Sequence, residues 1–216
     1  MLYKDKADRA VEAYLSSKTT RWQLGNQVLY DLCKKHPSHN DADEIVAKIW
    51  LIDRSYAAAI ERRRNAESLS GDFYYDVVAP AILSVGEELD DGIQCLKMCQ
   101  WLNDDTLDAV LDLHGHLTKT FEKLTNMDKR SLASKYLHFH CPDMFFIYDS
   151  RASSAINKLV NKGKENLYKH ISAERDMVYT DFCVRAVELR SYIDSSHGIK
   201  LTPRELDDLL LYNSDN

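Results

Sequence analysis

The sequence predicts an all-α fold, and three observations favour it. The 216 residues include only 7 Gly and 4 Pro, so residues that typically interrupt helices are scarce. The composition, 44% hydrophobic and 29% charged, is ordinary for a globular chain that can bury a core. Apolar residues recur at helical spacing, most clearly at Ile45, Ile49, Ile52, Tyr56 and Ile60. We therefore expect a single compact all-α unit over residues 1–216, with a cleft near residues 125–150 if it forms two helical lobes.

Local signals place about eight to ten helices along the chain. Pro37 ends the second helix, and the acidic run that starts at Asp41 opens the third. Pro80 is expected to break the apolar stretch 72–85. Thr202, Pro203 and Glu205 form a capping-box start for the last helix. The predicted helices are Asp5–Ser17, Trp22–His36, Asp41–Glu67, Asp91–Leu102, Asp105–Leu124, Lys129–His140, Ser150–Lys162, Ala173–Ser191 and Pro203–Tyr212.

Several classes of protein are disfavoured by what the sequence lacks. No apolar run approaches the roughly 18–20 residues that span a bilayer, and the N-terminus has no apolar signal core. The five cysteines are odd in number and scattered, which indicates reduced thiols. We expect a cytoplasmic protein with no membrane partner.

Neither a metal nor another cofactor is expected. His138, His140 and Cys141 lie close together, but the spacings of zinc ligands are absent, and alternate residues of a helix point to different faces. Glycine-rich nucleotide-binding motifs do not occur either.

Charge is unevenly distributed along a chain whose net charge is −6. Residues 84–112 carry eight acids and one base, whereas residues 118–170 carry ten bases and five acids. The acidic stretch 87–112 could contact a protein partner, and the basic segment could contact a polyanion. Arg62, Arg63 and Arg64 are either the basic end of a helix or a phosphate contact. The alternative for the acidic stretch and the basic segment is that they form two solvated faces of opposite charge.

The segment 129–152 is the most informative part of the chain. Ser131 and Lys135 are four residues apart and share one face of a basic, amphipathic helix that Pro142 ends. The apolar run 144–148 then leads to Asp149, which lies 18 residues after Ser131 and 14 after Lys135. This arrangement is suited to an active site. It is equally suited to an ordinary helix N-cap, in which Asp149 contributes about 1 kcal/mol of stability.

This pattern resembles the helix-hairpin-helix DNA glycosylases, and among them the 8-oxoguanine DNA glycosylase-like branch. There a hairpin leads into a helix that carries a Lys or Ser, followed by an apolar strand-like piece and an Asp. Ser131 to Asp149 matches that spacing, residues 147–152 resemble the Asp-containing end, and residues 201–207 resemble a closing segment. The hairpin, residues 124–130, has no glycine, and the iron–sulfur cysteine array of the family is absent.

The resemblance implies excision of a modified, oxidised-purine-like base from DNA. Asp149 would stabilise the cationic sugar or orient a water, and Lys135 would be an amine nucleophile or a phosphate contact. By its spacing Ser131 matches the position of the family's Lys, and the alternative is that Lys135, one turn further on, or Lys129 supplies that amine. DNA contacts are expected from Lys129, Arg130, Arg151 and Lys158, and the flipped base would stack on aromatic side chains: Tyr136, Phe139, Tyr148 and Trp22.

Two other functions are compatible with the same residues. A nucleic-acid-binding adaptor could retain the fold without chemistry, as the missing glycines and the net negative charge suggest. A helical protein-interaction module would use the acidic stretch 87–112 as its partner surface.

Overall fold

The protein is described by a computed structural model that covers residues 2–17, 22–61, 71–99, 101–161 and 167–214. Within these ranges the regular secondary structure is helical, with turns and loops between the helices and one isolated bridge between Leu2 and Val160, so the all-α prediction is confirmed. The helices are α1 (Lys4–Ser17), α2 (Gln23–Lys35), α3 (Ala42–Ser55), the π-helix π1 (Tyr74–Val78), α4 (Ala79–Leu83), α5 (Gly86–Lys97), α6 (Asp104–Thr125), α7 (Arg130–His140), α8 (Ser150–Leu159), α9 (Met177–His197) and α10 (Pro203–Ser214).

Helix α7 lies at the centre of the structure. Every residue from Leu132 to His140 is buried, because α7 packs against α2, α3 and α6. Burial of each large apolar side chain contributes about 1.5–3 kcal/mol, so these contacts hold α7 firmly in place. The polar residues on the same helix are therefore buried with it, and each of them needs a hydrogen-bond partner.

The two ends of the chain pack together. Helix α1 contacts α8, α9 and α10, and the backbone N–H of Tyr3 donates to the carbonyl of Leu159 at 2.9 Å. Helix α9 also contacts α6, which connects this group of helices to those around α7. The start of α8, where Asp149 lies, is thus held between both groups.

Helix α3 ends earlier than the sequence predicts. It stops at Ser55 instead of Glu67, and Ala57 adopts a left-handed backbone with φ 50°. The apolar repeat continues to Ile60 because that side chain is buried from a turn and not from a helix. The expectations for Arg62, Arg63 and Arg64 lie outside the described residues.

Pro80 does not break its apolar segment, contrary to the prediction. The π-helix π1 runs directly into α4, and Pro80 is the second residue of α4. The change from π-helical to α-helical hydrogen bonding falls next to Pro80, and proline has no N–H that either pattern would have to satisfy. The last capping box is present as predicted: the Thr202 N–H donates to Glu205 Oε2 at 2.8 Å, and the Glu205 N–H donates to Thr202 Oγ1 at 3.2 Å.

We expect the free energy of unfolding to fall as the pH is lowered from 7 to 5. Burial lowers the pKa of His39 and of His114 to about 4, and that of His138 to about 3. The unfolded chain binds protons at these histidines near pH 6.5 and the folded chain does not, so each adds a slope of up to about 1.4 kcal/mol per pH unit. Burial raises the pKa of Asp207 to about 7, so this carboxyl group stabilises the fold as the pH falls. It is a single group, and it opposes the effect of the three histidines.

Urea unfolding followed by circular dichroism at pH 7, 6 and 5 measures this slope. Replacing His114 by Phe should make the slope shallower, whatever it does to the absolute stability. If the free energy of unfolding at pH 5 equals or exceeds that at pH 7, the assignment of these histidines as buried and neutral is contradicted.

Candidate active site

A short turn joins α6 to α7. Asn126 ends α6 in the left-handed conformation with φ 52°, and its N–H donates to the Glu122 carbonyl at 2.7 Å. Asparagine tolerates this conformation, so the turn forms without a glycine. Lys129 precedes α7 and gives it no side-chain cap. The backbone N–H groups in the first turn of α7 therefore have no hydrogen-bond acceptor in the side chain of the N-cap residue.

One face of α7 holds the extended segment 144–148 through side-chain hydrogen bonds. Ser134 Oγ accepts from the Tyr148 N–H at 3.0 Å, and His138 Nδ1 donates to the Phe145 carbonyl at 2.8 Å. Ser131 Oγ donates to the Tyr148 carbonyl at 3.1 Å. The buried backbone of this segment therefore pairs with a helix and not with a sheet. Polar residues at i, i+3, i+4 and i+7 are the sequence signal for this face, and Ser134 and His138 are the two members that the sequence analysis missed.

Lys135 completes this set and brings the predicted catalytic residues together. Its side chain is buried, with 1% of the residue exposed, and Nζ donates to Ser131 Oγ and to the Tyr148 carbonyl, both at 2.8 Å. Burial lowers the pKa of Lys135, and Arg204 lowers it further, while the negative charges of Asp149 and Asp207 act against the shift. The structure thus places a desolvated amine next to the residue that precedes Asp149.

Asp149 is both a helix cap and a neighbour of this amine. It has extended backbone dihedrals, and Oδ1 accepts from the Ala152 N–H at 2.9 Å, which starts α8. The residue is half-buried, and its charge acts on both Lys135 and Asp207. The cap uses Oδ1 and leaves Oδ2 available for a second role.

An ion pair from α10, which sequence reasoning missed, adjoins the amine. Arg204 donates to Asp207 Oδ2 at 3.1 Å and to the hydroxyl of Tyr56 at 2.7 Å. Burial and the charge of Asp149 raise the pKa of Asp207, against the lowering effect of Arg204. The i, i+3 spacing in α10 was visible in the sequence, but nothing in the sequence indicated its contact with α7.

A cavity of about 330 Å³ opens where the α6–α7 turn meets the end of α3. Ser131 lines it, together with Leu132, the turn residues 127–129 and the alanines 57–59. Its volume lies within the range of about 300–1,000 Å³ that is typical of small-molecule sites. One residue, Ser131, therefore both lines this cavity and accepts a hydrogen bond from the amine of Lys135.

The four predicted DNA contacts differ in exposure. Lys129 is 8% exposed and its Nζ donates to the Ala59 carbonyl at 3.0 Å. Arg130 donates to both oxygens of Asp176, at 3.0 and 2.9 Å, and to Asp128 at 2.8 Å. Arg151 and Lys158 are exposed on α8. The hairpin cations thus make contacts inside the fold, and the α8 cations lie at the surface.

The predicted base-stacking residues are not brought together. Tyr136 is buried beside His39 and His140, whereas Tyr148 packs edge-on against Phe182, with ring centroids 5.3 Å apart. Trp22 is 82% exposed at the start of α2.

Within the acidic stretch 87–112, several carboxylates have partners inside the fold. Asp90 pairs with His39, and both Asp108 and Asp112 pair with Arg175. In the part of the chain that the structure describes, no group of three or more His, Cys, Asp or Glu residues could hold a metal ion. None of the helices in these ranges combines the length and apolarity needed to cross a membrane.

Comparisons with family models, curated proteins and solved structures find no match to this chain.

We expect Asp149→Ala to lower the free energy of unfolding by about 1 kcal/mol, because the Ala152 N–H loses its acceptor. Asp149→Asn should retain most of the stability, since asparagine is an equally good N-cap. Urea unfolding of both variants measures the difference, with Asp41→Ala, at the N-cap of α3, as a matched control. Equal stability of wild type and Asp149→Ala would contradict the capping role.

Proposed function

We propose that this chain is a DNA N-glycosylase that excises a modified, oxidised-purine-like base. One observation carries the proposal: a buried amine, Lys135, is hydrogen-bonded to Ser131 and to the carbonyl that precedes Asp149. Residues at the three positions implicated by the resemblance to helix-hairpin-helix glycosylases therefore adjoin one another. A strongly desolvated lysine beside two carboxylates and next to a cavity is also the electrostatic environment expected of a functional site.

In this proposal Asp149 acts at the sugar. The N-glycosidic bond breaks, its electron pair leaves with the base, and positive charge develops at C1′ and the ring oxygen. The carboxylate of Asp149 stabilises that charge electrostatically. A water then adds at C1′ and transfers its proton to Oδ2, while Oδ1 remains on the Ala152 N–H. The cap holds the carboxylate in a fixed orientation throughout.

Lys135 can act in two ways, which differ in whether its buried amine stays in place or moves. As a positioning group it stays where it is, holds the Tyr148 carbonyl and thereby orients Asp149. As a nucleophile it must leave Ser131 and Tyr148, enter the cavity beyond Ser131, and attack C1′ through its lone pair. Burial favours the neutral amine that such an attack requires. The first role gives a glycosylase alone, and the second gives a covalent imine and strand cleavage.

We expect the intact protein to release the base from an oligonucleotide carrying 8-oxoguanine, with an oligonucleotide carrying uracil as the comparison substrate. Asp149→Asn should lower the rate by about a hundredfold or more, as loss of an electrostatic stabiliser does. Base release is measured by alkaline strand cleavage, and imine formation by borohydride trapping, with an abasic substrate included.

Matched variants separate chemistry from folding. Asp41→Asn alters another helix cap, and Lys48→Met removes another buried lysine, which is 0% exposed and bonded to two carbonyls. Both should retain activity. Trapping lost in Lys135→Met but kept in Lys48→Met would identify Lys135 as the nucleophile. Base release that Asp149→Asn and Lys135→Met both leave unchanged would refute the mechanism.

A second candidate is a nucleic-acid-binding protein without chemistry. The observation that favours it is the exposure of Arg151 and Lys158 on α8, which leaves cations at the surface although Lys129 and Arg130 of the glycine-free hairpin are engaged inside the fold. Salt-sensitive DNA binding without base release on any substrate would support this candidate over the first.

DNA affinity should depend on the exposed cations of α8. The Arg151→Gln/Lys158→Gln double variant is expected to bind DNA more weakly and to reduce the slope of log affinity against log salt by about 0.9 per lost phosphate contact. Fluorescence anisotropy over a salt series measures this. Lys35→Gln/Lys123→Gln removes two exposed charges elsewhere and should match wild type. Equal slopes in all three proteins would exclude α8 from the DNA interface.

A further inference from the structure

A second cavity, of about 540 Å³, lies between α2, the end of α7 and the start of α10. Tyr30 and Phe139 give it an aromatic wall, with ring centroids 4.8 Å apart. Its volume is within the range of about 300–1,000 Å³ seen for small-molecule sites. The lysine and aspartate of the proposed active site, Lys135 and Asp149, do not line it.

The cavity is cationic although the chain as a whole is acidic. Lys34, Lys97 and Arg204 line it, and Asp143 is the one acid among the described lining residues. Lys34 and Lys97 are exposed, whereas Arg204 is held in place by its bonds to Asp207 and Tyr56. A fixed guanidinium with two mobile ammonium groups is suited to a multiply charged anion such as a phosphate.

The inner part of the cavity contains polar atoms that lack partners. His140 lines it, is 3% exposed, and neither of its ring nitrogens has a hydrogen-bond partner among the described residues. The rings of His39 and Tyr136, which do not line the cavity, pack behind His140 at 4.8 Å, and His39 Nε2 and the Tyr136 hydroxyl also have no partner among the described residues. Buried polar groups without partners are costly, so several in one place indicate that something else satisfies them.

Neutral histidine has one N–H donor and one acceptor nitrogen, so one of them can pair with an acceptor or a donor at the edge of a nucleobase. Burial keeps His140 neutral, since it holds the pKa of this side chain well below its usual range. Aromatic walls bind bases by stacking, which contributes about 1–3 kcal/mol per base.

We propose that this cavity binds a nucleotide, with the base on Tyr30 and Phe139, its polar edge at His140, and the phosphate at Lys34, Lys97 and Arg204. The site goes beyond the proposed glycosylase activity and does not depend on it. The nucleotide can come from the free pool or from a nucleic-acid strand, because both present the same base and phosphate.

Isothermal titration of the intact protein with dGMP tests the proposal, with deoxyguanosine, inorganic phosphate and a short single-stranded oligonucleotide as separate arms. We expect dGMP to bind with a Kd below about 1 mM. Lys34→Gln/Lys97→Gln should weaken binding about tenfold or more, whereas Lys35→Gln/Lys123→Gln, with the same change of charge, should not. Deoxyguanosine should bind more weakly than dGMP and be insensitive to both double variants.

His140→Leu tests the inner part of the site. It removes unpaired polar atoms, so it should not lower stability and should weaken dGMP and deoxyguanosine alike. Lys135→Met should leave dGMP binding intact even if base excision is lost. If the oligonucleotide binds more tightly than dGMP and the Lys34→Gln/Lys97→Gln variant loses that binding, the ligand of this cavity is a nucleotide within a nucleic-acid strand. No binding of either dGMP or the oligonucleotide, or equal losses in the two double variants, would overturn the proposal.

Discussion

The side chain of Lys135 connects α7 to the chain that enters α8, and the positions of the other candidate residues depend on it. Its Nζ is buried, which is unfavourable for a charged amine, and two oxygen acceptors at 2.8 Å offset part of that cost. One acceptor belongs to its own helix and the other is the Tyr148 carbonyl. The same contact therefore fixes both the extended segment and the point at which Asp149 begins α8.

The charged groups around Lys135 offset part of the cost of burying its amine and give the cluster the capacity for chemistry. Lys135 and Arg204 lie among two carboxylates, Asp149 and Asp207, and the charges of Asp149 and Asp207 oppose the lowering of the Lys135 pKa by burial. Apolar residues of similar volume in place of such a buried cluster are often neutral or stabilising, so the cluster supports the proposed function more than it accounts for stability. Arg204 also lines the cationic cavity, so the two candidate sites share one side chain.

The sequence alone predicted the features that depend on residues close to one another along the chain. The scarcity of Gly and Pro indicated an all-α chain, and i, i+4 spacing placed Ser131 and Lys135 on one face. The capping signal at Thr202 was equally local. Contacts between distant segments could not be predicted: Arg204 and Asp207 join the cluster only because α10 packs on α8. Pro80 and the early end of α3 were mispredicted, since a π-helix and a left-handed Ala57 leave no simple periodic signal.

The charge state of Lys135 tests this account most directly. NMR titration of a protein with ¹³C-labelled lysine side chains follows each ε-carbon with pH, and the Lys135→Met variant identifies the signal. The account predicts that the pKa of Lys135 lies below the usual value near 10.5, with a resonance distinct from those of the exposed lysines. A Lys135 signal that titrates together with the exposed lysines would show that the amine is solvated, and the buried link between α7 and Asp149 would then be contradicted.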